Sequence, residues 1–377
     1  MNDDLQLTDR MVGTIAGLAI GDALGAPAQS LSAKQIIDRF GRVIDYVDAG
    51  RLPNAYTGNV QQALCILDVL LEHSKFTPEA LAAKFVELSQ ALPQKPPTFG
   101  VFRGTGQDFR EAVKALSQGV PWENSGTISA DNSAAARIAP LAVFHCNSHV
   151  AELREDVAKS AWMTHRDPRA AAGALAIAYS IIHVLHAGKD FEPHTYLTEL
   201  QSFVEEGEKY LKRRFWSHDL RLPESVLHDV SGAIALVKKL LGHSTSSALK
   251  EIGHYSGTRA NKPTGPTSSF ILASGTAAIY FFATHSHSFE EAVVEAINQG
   301  GDAGTVGSMV GAMAGALYGE SGIPHRWRDG LRNYDQIRLR ALALAQGREM
   351  PAEMVPLVEL EKPLALEEQA RAGKTNG

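Results

Sequence analysis

Residues 306–318 read Val306-Gly307-Ser308-Met309-Val310-Gly311-Ala312-Met313-Ala314-Gly315-Ala316-Leu317-Tyr318. Positions four apart lie one helical turn above another, so the three glycines share one face. A face without side chains lets a second backbone come close. The apolar run is too short to cross a bilayer and belongs instead in a protein core. The rest of the chain has the same character. Runs alternating β-branched and polar residues are nearly absent, while helix start and stop signals recur from end to end. Ala63, Ile66, Leu67, Leu70 and Leu71 share a helical face after Asn59. Thr77-Pro78 and Asp167-Pro168 each pair an N-cap with a proline at the first helical position, where the missing N–H costs nothing. Ser288-Phe289-Glu290-Glu291 has the form of a capping box, and Gly119, Gly188 and Gly242 suit helix ends. The expected fold is all-α, with roughly ten to thirteen helices of typical length ~11 residues.

Length alone, 377 residues, allows two or three domains. No composition break, repeat or long linker divides the chain, so the expectation is a single compact domain over 1–362 and a loosely attached tail over 363–377. Lys and Arg number 36 against 42 Asp and Glu, a net charge of -6, and no basic block exceeds Lys212-Arg213-Arg214. That balance argues against nucleic acid or an anionic membrane as the main partner. It leaves room for an anionic small molecule at a helix N-terminus. Cys65 and Cys146, the two cysteines, lie in apolar helical stretches and read as buried reduced thiols, which points to the cytoplasm. Met1-Asn2-Asp3-Asp4 has no basic n-region, and Asp22 interrupts the first apolar segment, so neither a signal peptide nor a membrane span is expected there.

Four clusters at loops or helix ends stand out. In Gly21-Asp22-Ala23-Leu24-Gly25-Ala26-Pro27 an acid sits among small residues, either bonding nearby backbone or serving a site. Tyr56-Thr57-Gly58-Asn59 gathers hydroxyl, amide and backbone N–H groups at one helix start; alternatively Asn59 is simply its N-cap. Asn298-Gln299-Gly300-Gly301-Asp302-Ala303-Gly304-Thr305 is a polar glycine turn fit to cradle phosphate, to place Asp302 on a metal, or to satisfy packing. The fourth joins Ser129-Ala130-Asp131-Asn132-Ser133 to Thr164-His165-Arg166-Asp167-Pro168. His165, just ahead of a helix start, is the best placed of the 14 histidines to act as an acid or base. His285-Ser286-His287 has no carboxylate within the run and reads as a solvated loop.

In order along the chain, these clusters resemble the ADP-ribosylglycohydrolase family. The likeness runs from about Met11 to Gly319 and rests on 17–25, Ala134-Ala135-Ala136-Arg137-Ile138-Ala139-Pro140, 164–170 and Gly300-Gly301-Asp302-Ala303-Gly304-Thr305. The resemblance implies one all-α domain with a central cleft for ADP-ribose, free or carried on a protein. It implies two Mg²⁺ or Mn²⁺ ions held by a Thr/Ser-Asp-Asp-Thr motif and an Asp-x-Asp-Thr motif. Here those positions read Thr57-Gly58-Asn59-Val60 and Asp302-Ala303-Gly304-Thr305, so three of four carboxylates are absent and Thr57, Asp302 and Thr305 remain as matches. Mg²⁺ gives up hydration water reluctantly, and one carboxylate should not hold two dications. Gln29 lies where some members carry a mobile glutamate, and an amide is no acid or base near neutral pH. Ser129 and Asn132 match the family's ribose and phosphate loop, and His165 its cleft histidine. The expected activity is therefore on a glycosidic bond of an ADP-ribosyl or related ribosyl compound without the binuclear centre. Asp302, Asp22 and His165 are the expected catalytic groups, and Ser129, Asn132, Thr57, Asn59, Gln29 and Thr305 the expected substrate contacts. The alternative is a non-catalytic ADP-ribose-binding or regulatory protein.

Overall fold

The computed structural model describes residues 3–217 and 220–375. Among them are nineteen α-helices, several of one or two turns, and one hairpin of two-residue strands, Thr98–Phe99 and Phe102–Arg103. The helix count exceeds the sequence expectation because pieces such as Trp122–Ser125 and Ser133–Ala136 are too short to show an apolar period.

The glycine run forms the helix Ala303–Tyr318, and its partner is the first helix, Asp3–Gly25. The two run antiparallel with backbones in contact. A Cβ on Gly17 would stand 2.0 Å from the Gly311 carbonyl oxygen, on Gly21 1.9 Å from that of Gly307, and on Gly315 1.9 Å from that of Gly13. Only hydrogen fits along this seam. It brings Gly25 against Ala303 and so sets Asp22 beside the turn that carries Asp302. Two segments, Leu5–Ala28 and Pro168–Asp190, are long and apolar enough to span a bilayer, yet 94% and 72% of their apolar 18-residue windows are buried inside the protein. They serve here as core helices.

Capping follows the sequence in part. Asp167 caps the Pro168–Ala187 helix through the Arg169 N–H, and Gly119, Gly188 and Gly242 all take positive φ at helix ends. Ser288 accepts the Glu291 N–H, but Glu291 turns to His287 and does not close a box. Thr77 precedes its helix without a side-chain bond. Asn59 is not the N-cap of its helix. Thr57 is, which frees the Asn59 amide for other partners.

The segment expected as a tail, 363–377, is described as far as residue 375. Residues Leu357–Thr375 form a helix whose Leu364 and Ala365 are buried, with Gln369 donating to Thr98 Oγ1 at 2.6 Å. Its anchor is Glu361, fully enclosed, which accepts from Arg103 Nη1 at 2.6 Å, Tyr56 Oη at 2.5 Å and Gln61 Nε2 at 2.8 Å. Charged composition made this segment read as solvated. The cation that makes burying Glu361 affordable lies 258 residues away.

Candidate active site

Two helix N-termini meet beside the glycine seam, those of Gly58–His73 and Ala303–Tyr318. Asp22 enters from the first helix and is wholly buried. It accepts from Thr57 N at 2.5 Å, Thr57 Oγ1 at 3.0 Å and Asn59 Nδ2 at 3.0 Å. Asn59 Nδ2 also reaches Thr305 Oγ1 at 3.0 Å, and that hydroxyl donates to Asp302 Oδ1 at 2.9 Å. Asp302 Oδ1 takes Gln29 Nε2 at 2.6 Å, and Oδ2 takes Asn132 Nδ2 at 2.7 Å. Two carboxyl groups are thus tied together by neutral donors. Burial raises both pKa values: Asp22 rises to about 6 against the pull of its Thr57 and Asn59 bonds, and Asp302 rises although Gln29 and Asn132 oppose it.

Gln29 arrives through a strained turn. Ser30 has φ 65°, and its N–H donates to the Gly301 carbonyl at 2.7 Å. Gly300 and Gly301, at φ 73° and 66°, leave room that a Cβ would fill: on Gly300 it would lie 1.9 Å from the Leu31 oxygen. These glycines let the Gln29 loop close on Asp302.

A cavity of about 520 Å³ opens on this constellation, walled by Gln29, Thr57, Asn59, Asp302 and Thr305. Of the two acids only Asp302 is on the wall; Asp22 sits behind it. Arg51, Arg110 and Glu368 complete the rim. The sequence did not single them out: Arg51 lies within the loop that precedes Thr57, Arg110 is on the helix Gln107–Ser117, and Glu368 falls in the expected tail.

Of the remaining expected residues, Asn132 supports Asp302 from behind the wall, while Ser129 and His165 lie elsewhere. Ser129 donates to Asp108 Oδ2 at 2.8 Å and borders a separate depression of about 360 Å³ with Asp131, Arg169 and Phe270. Asn132 is buried, bridging Asp302 and Ser274 Oγ. His165 is fully enclosed, with Thr164 Oγ1 at 2.7 Å from Nδ1 and Ser133 Oγ at 3.2 Å and Asp131 at 3.6 Å from Nε2. It lines neither this cavity nor the depression beside Ser129, and the backbone around it pairs with Thr127. Its role here is to hold Asp131. Burial pushes that carboxyl up, but His165 and Ser133 outweigh it and hold the group below its ordinary range.

A binuclear cation centre can be tested against this geometry. At Gly58 an added Cβ would lie 2.4 Å from Thr105 Cγ2 and 2.9 Å from the Arg103 carbonyl oxygen, so the end of the hairpin and the residues after it fill the space a ligand side chain would need. At Gly304 the neighbouring space holds the Gln29 amide, whose Oε1 accepts the Gly304 N–H at 3.2 Å. That bond orients the amide so its NH₂ faces Asp302, and the Asn59 NH₂ faces Asp22 in the same way. Where dications would need oxygen, the site presents N–H donors, and the donor set does not fit two Mg²⁺ ions.

A model of the ADP-ribosylglycohydrolase family matches residues 1–353. The chain belongs to that family. Relatives include an uncharacterised protein of Archaeoglobus fulgidus, 28% identical over 87% of this chain and 93% of its own length. An ADP-ribosylarginine hydrolase of Serratia proteamaculans is 24% identical over 87% of this chain and 77% of its own. An ADP-ribosyl-[dinitrogen reductase] glycohydrolase of Rhodospirillum rubrum is 23% identical over 85% and 89%. A solved ADP-ribosylglycohydrolase-related protein complex superposes with a TM-score of 0.63 at 24% identity, covering 90% of this chain and 98% of that one, which establishes the family's fold here. Within the family match lie Asp22, the Thr57 cap and the Asp302 turn; Glu361 and Glu368 lie beyond it.

Proposed function

We propose that this ADP-ribosylglycohydrolase-family protein cleaves a glycosidic bond of an ADP-ribosyl or related ribosyl compound without a binuclear metal centre. The observation that carries the reading is Asp302 on the cavity wall, oriented by Gln29, Asn132 and Thr305 where the amides face the carboxyl groups as cations would. Departure from an anomeric carbon leaves positive charge on the ribose ring. An ionised, preorganised carboxylate stabilises that charge in a site of low dielectric. Thr57 and Thr305 offer hydroxyls to the ribose, and Arg51 and Arg110 suit the diphosphate of an ADP-ribosyl group. Asp22 acts through Thr57 and Asn59 as a positioning residue.

A second reading, an ADP-ribose binder without turnover, is favoured by one feature: Asp302 already accepts three side-chain bonds, so it is satisfied before a substrate arrives. Incubating the full chain in EDTA with NAD, ADP-ribosyl-arginine peptides and ADP-ribosyl-serine peptides, with mass-spectrometric product analysis, separates the two. Product formation supports cleavage. Calorimetric binding of ADP-ribose without product supports the second reading, and neither binding nor product overturns both.

A further inference from the structure

The run His285-Ser286-His287 carries no carboxylate of its own, but the fold supplies one. These residues turn between the helices Ile271–Thr284 and Phe289–Ile297, and Glu291, on the first turn of the second, reaches back to them. Its Oε2 is 2.6 Å from His287 Nε2, and the two imidazole rings are 6.0 Å apart. One ligand atom from each of His285, His287 and Glu291 lies within 4.8 Å of the others. We propose that these three side chains form a binding site for a transition-metal dication of the Zn²⁺ class. The site shares no residue with the cavity at Asp302, so it stands apart from the reading of that cavity.

Two imidazole nitrogens and one carboxylate oxygen suit Zn²⁺ and not Mg²⁺, which demands oxygen throughout. Zn–N bonds of about 2.0–2.1 Å place tetrahedral ligands about 3.4 Å apart. The side chains of His287 and Glu291 are 63% and 58% exposed, so rotation closes the gap without backbone movement. Their existing ion pair is exposed and gives little to lose. The backbone beneath is already held: Ser288 N donates to the His285 carbonyl at 3.2 Å, Glu291 N to Ser288 Oγ at 3.2 Å, and Tyr318 Oη to the Ser286 carbonyl at 2.7 Å. The His285 ring lies over Phe281 at 6.2 Å and 20°. Neighbouring acids have their own partners, Glu290 on Arg326 and Glu295 on Arg42, leaving Glu291 as the carboxylate of the site. Three protein ligands leave a fourth position open to water or to an outside ligand. A bound ion clamps the first turn of Phe289–Ile297 to the end of the preceding helix.

The full chain, stripped with chelator and dialysed, is titrated with Zn²⁺ alone by calorimetry. One saturable equivalent is expected, with a rise in Tm. Loss of an outer-shell partner already costs a metal site 10–100-fold, so His287→Ala and Glu291→Gln should each weaken binding at least about tenfold. Both are surface substitutions, and circular dichroism verifies the fold. Absence of a saturable equivalent, or unchanged affinity in both variants, overturns the proposal. So does an equal loss in His73→Ala, an exposed histidine beside Glu72 far from this turn in sequence.

Discussion

In the proposed reaction the chemistry turns on Asp302. Its carboxylate is on the cavity wall, and Gln29, Thr305 and Asn132 all donate to it. Asp302→Asn replaces an acceptor-only group by one whose NH₂ opposes those donors. Turnover should fall on the order of a thousandfold, measured as product release per enzyme under single-turnover conditions. Because burial raises the Asp302 pKa, the acid limb of the pH–rate profile should lie above the ordinary carboxylate range, activity growing as the group ionises. Asp22 gives a separate signature in stability. Its folded pKa of about 6 exceeds its ordinary 3.8, so between those values the folded state binds more protons than the unfolded one and stability falls as pH rises. Across that window the loss amounts to roughly 3 kcal/mol. Asp22→Asn should flatten this part of the urea-unfolding profile by about that amount; an unchanged slope between pH 4 and 6 would refute the assignment. At this scale the structure brings Gln29, Thr57, Asn59, Asn132 and Thr305, all singled out in the sequence, into bonds with Asp22 or Asp302. Spacing cannot show that His165 faces inward, or that Asn59 bonds across to Thr305 and leaves the cap to Thr57.

Among the elements, the antiparallel pair Asp3–Gly25 and Ala303–Tyr318 does most to place the site. The glycine period of 307, 311 and 315 is visible in the sequence because it matches the helical repeat. Its partner face, with glycines at 13, 17, 21 and 25, is visible in the same way, but the register that sets Gly21 opposite Gly307 appears only in three dimensions. Gly21→Ala would bring a methyl carbon 1.9 Å from a carbonyl oxygen. The backbones must part, and overpacking of this kind should destabilise by about 3 kcal/mol in chemical denaturation, with weakened ligand binding as Asp22 shifts from Thr57. A cost under 0.5 kcal/mol would mean the seam is looser than described.

For the molecule as a whole, the C-terminal helix is the part the sequence concealed. Glu361 is buried against Arg103, Tyr56 and Gln61, and Glu368 further along faces the cavity rim. No local pattern announces a buried ion pair between residues this far apart. Glu361→Gln leaves the enclosed Arg103 guanidinium with only Glu368, 3.7 Å from Nε, as counter-charge and should cost about 3 kcal/mol, read as a drop in Tm. The all-α class was legible because apolar period, caps and glycine stops agreed along the chain. The reading of a site without dications rests on Gly58, Asn59, Gly304 and Gln29, which stand where the resemblance implies carboxylates. The fold adds what spacing cannot show: at Gly58 a side chain would run into Thr105 and the Arg103 carbonyl, while at Gly304 a Cβ meets only ordinary contacts with Asp22 and Gln29. The central claim, that amide donors replace dications at Asp22 and Asp302, is tested most directly by titrating the His287→Ala protein with Mn²⁺ by calorimetry. No tight equivalent is predicted. Two tightly bound equivalents, lost together in Asp302→Asn, would contradict the account.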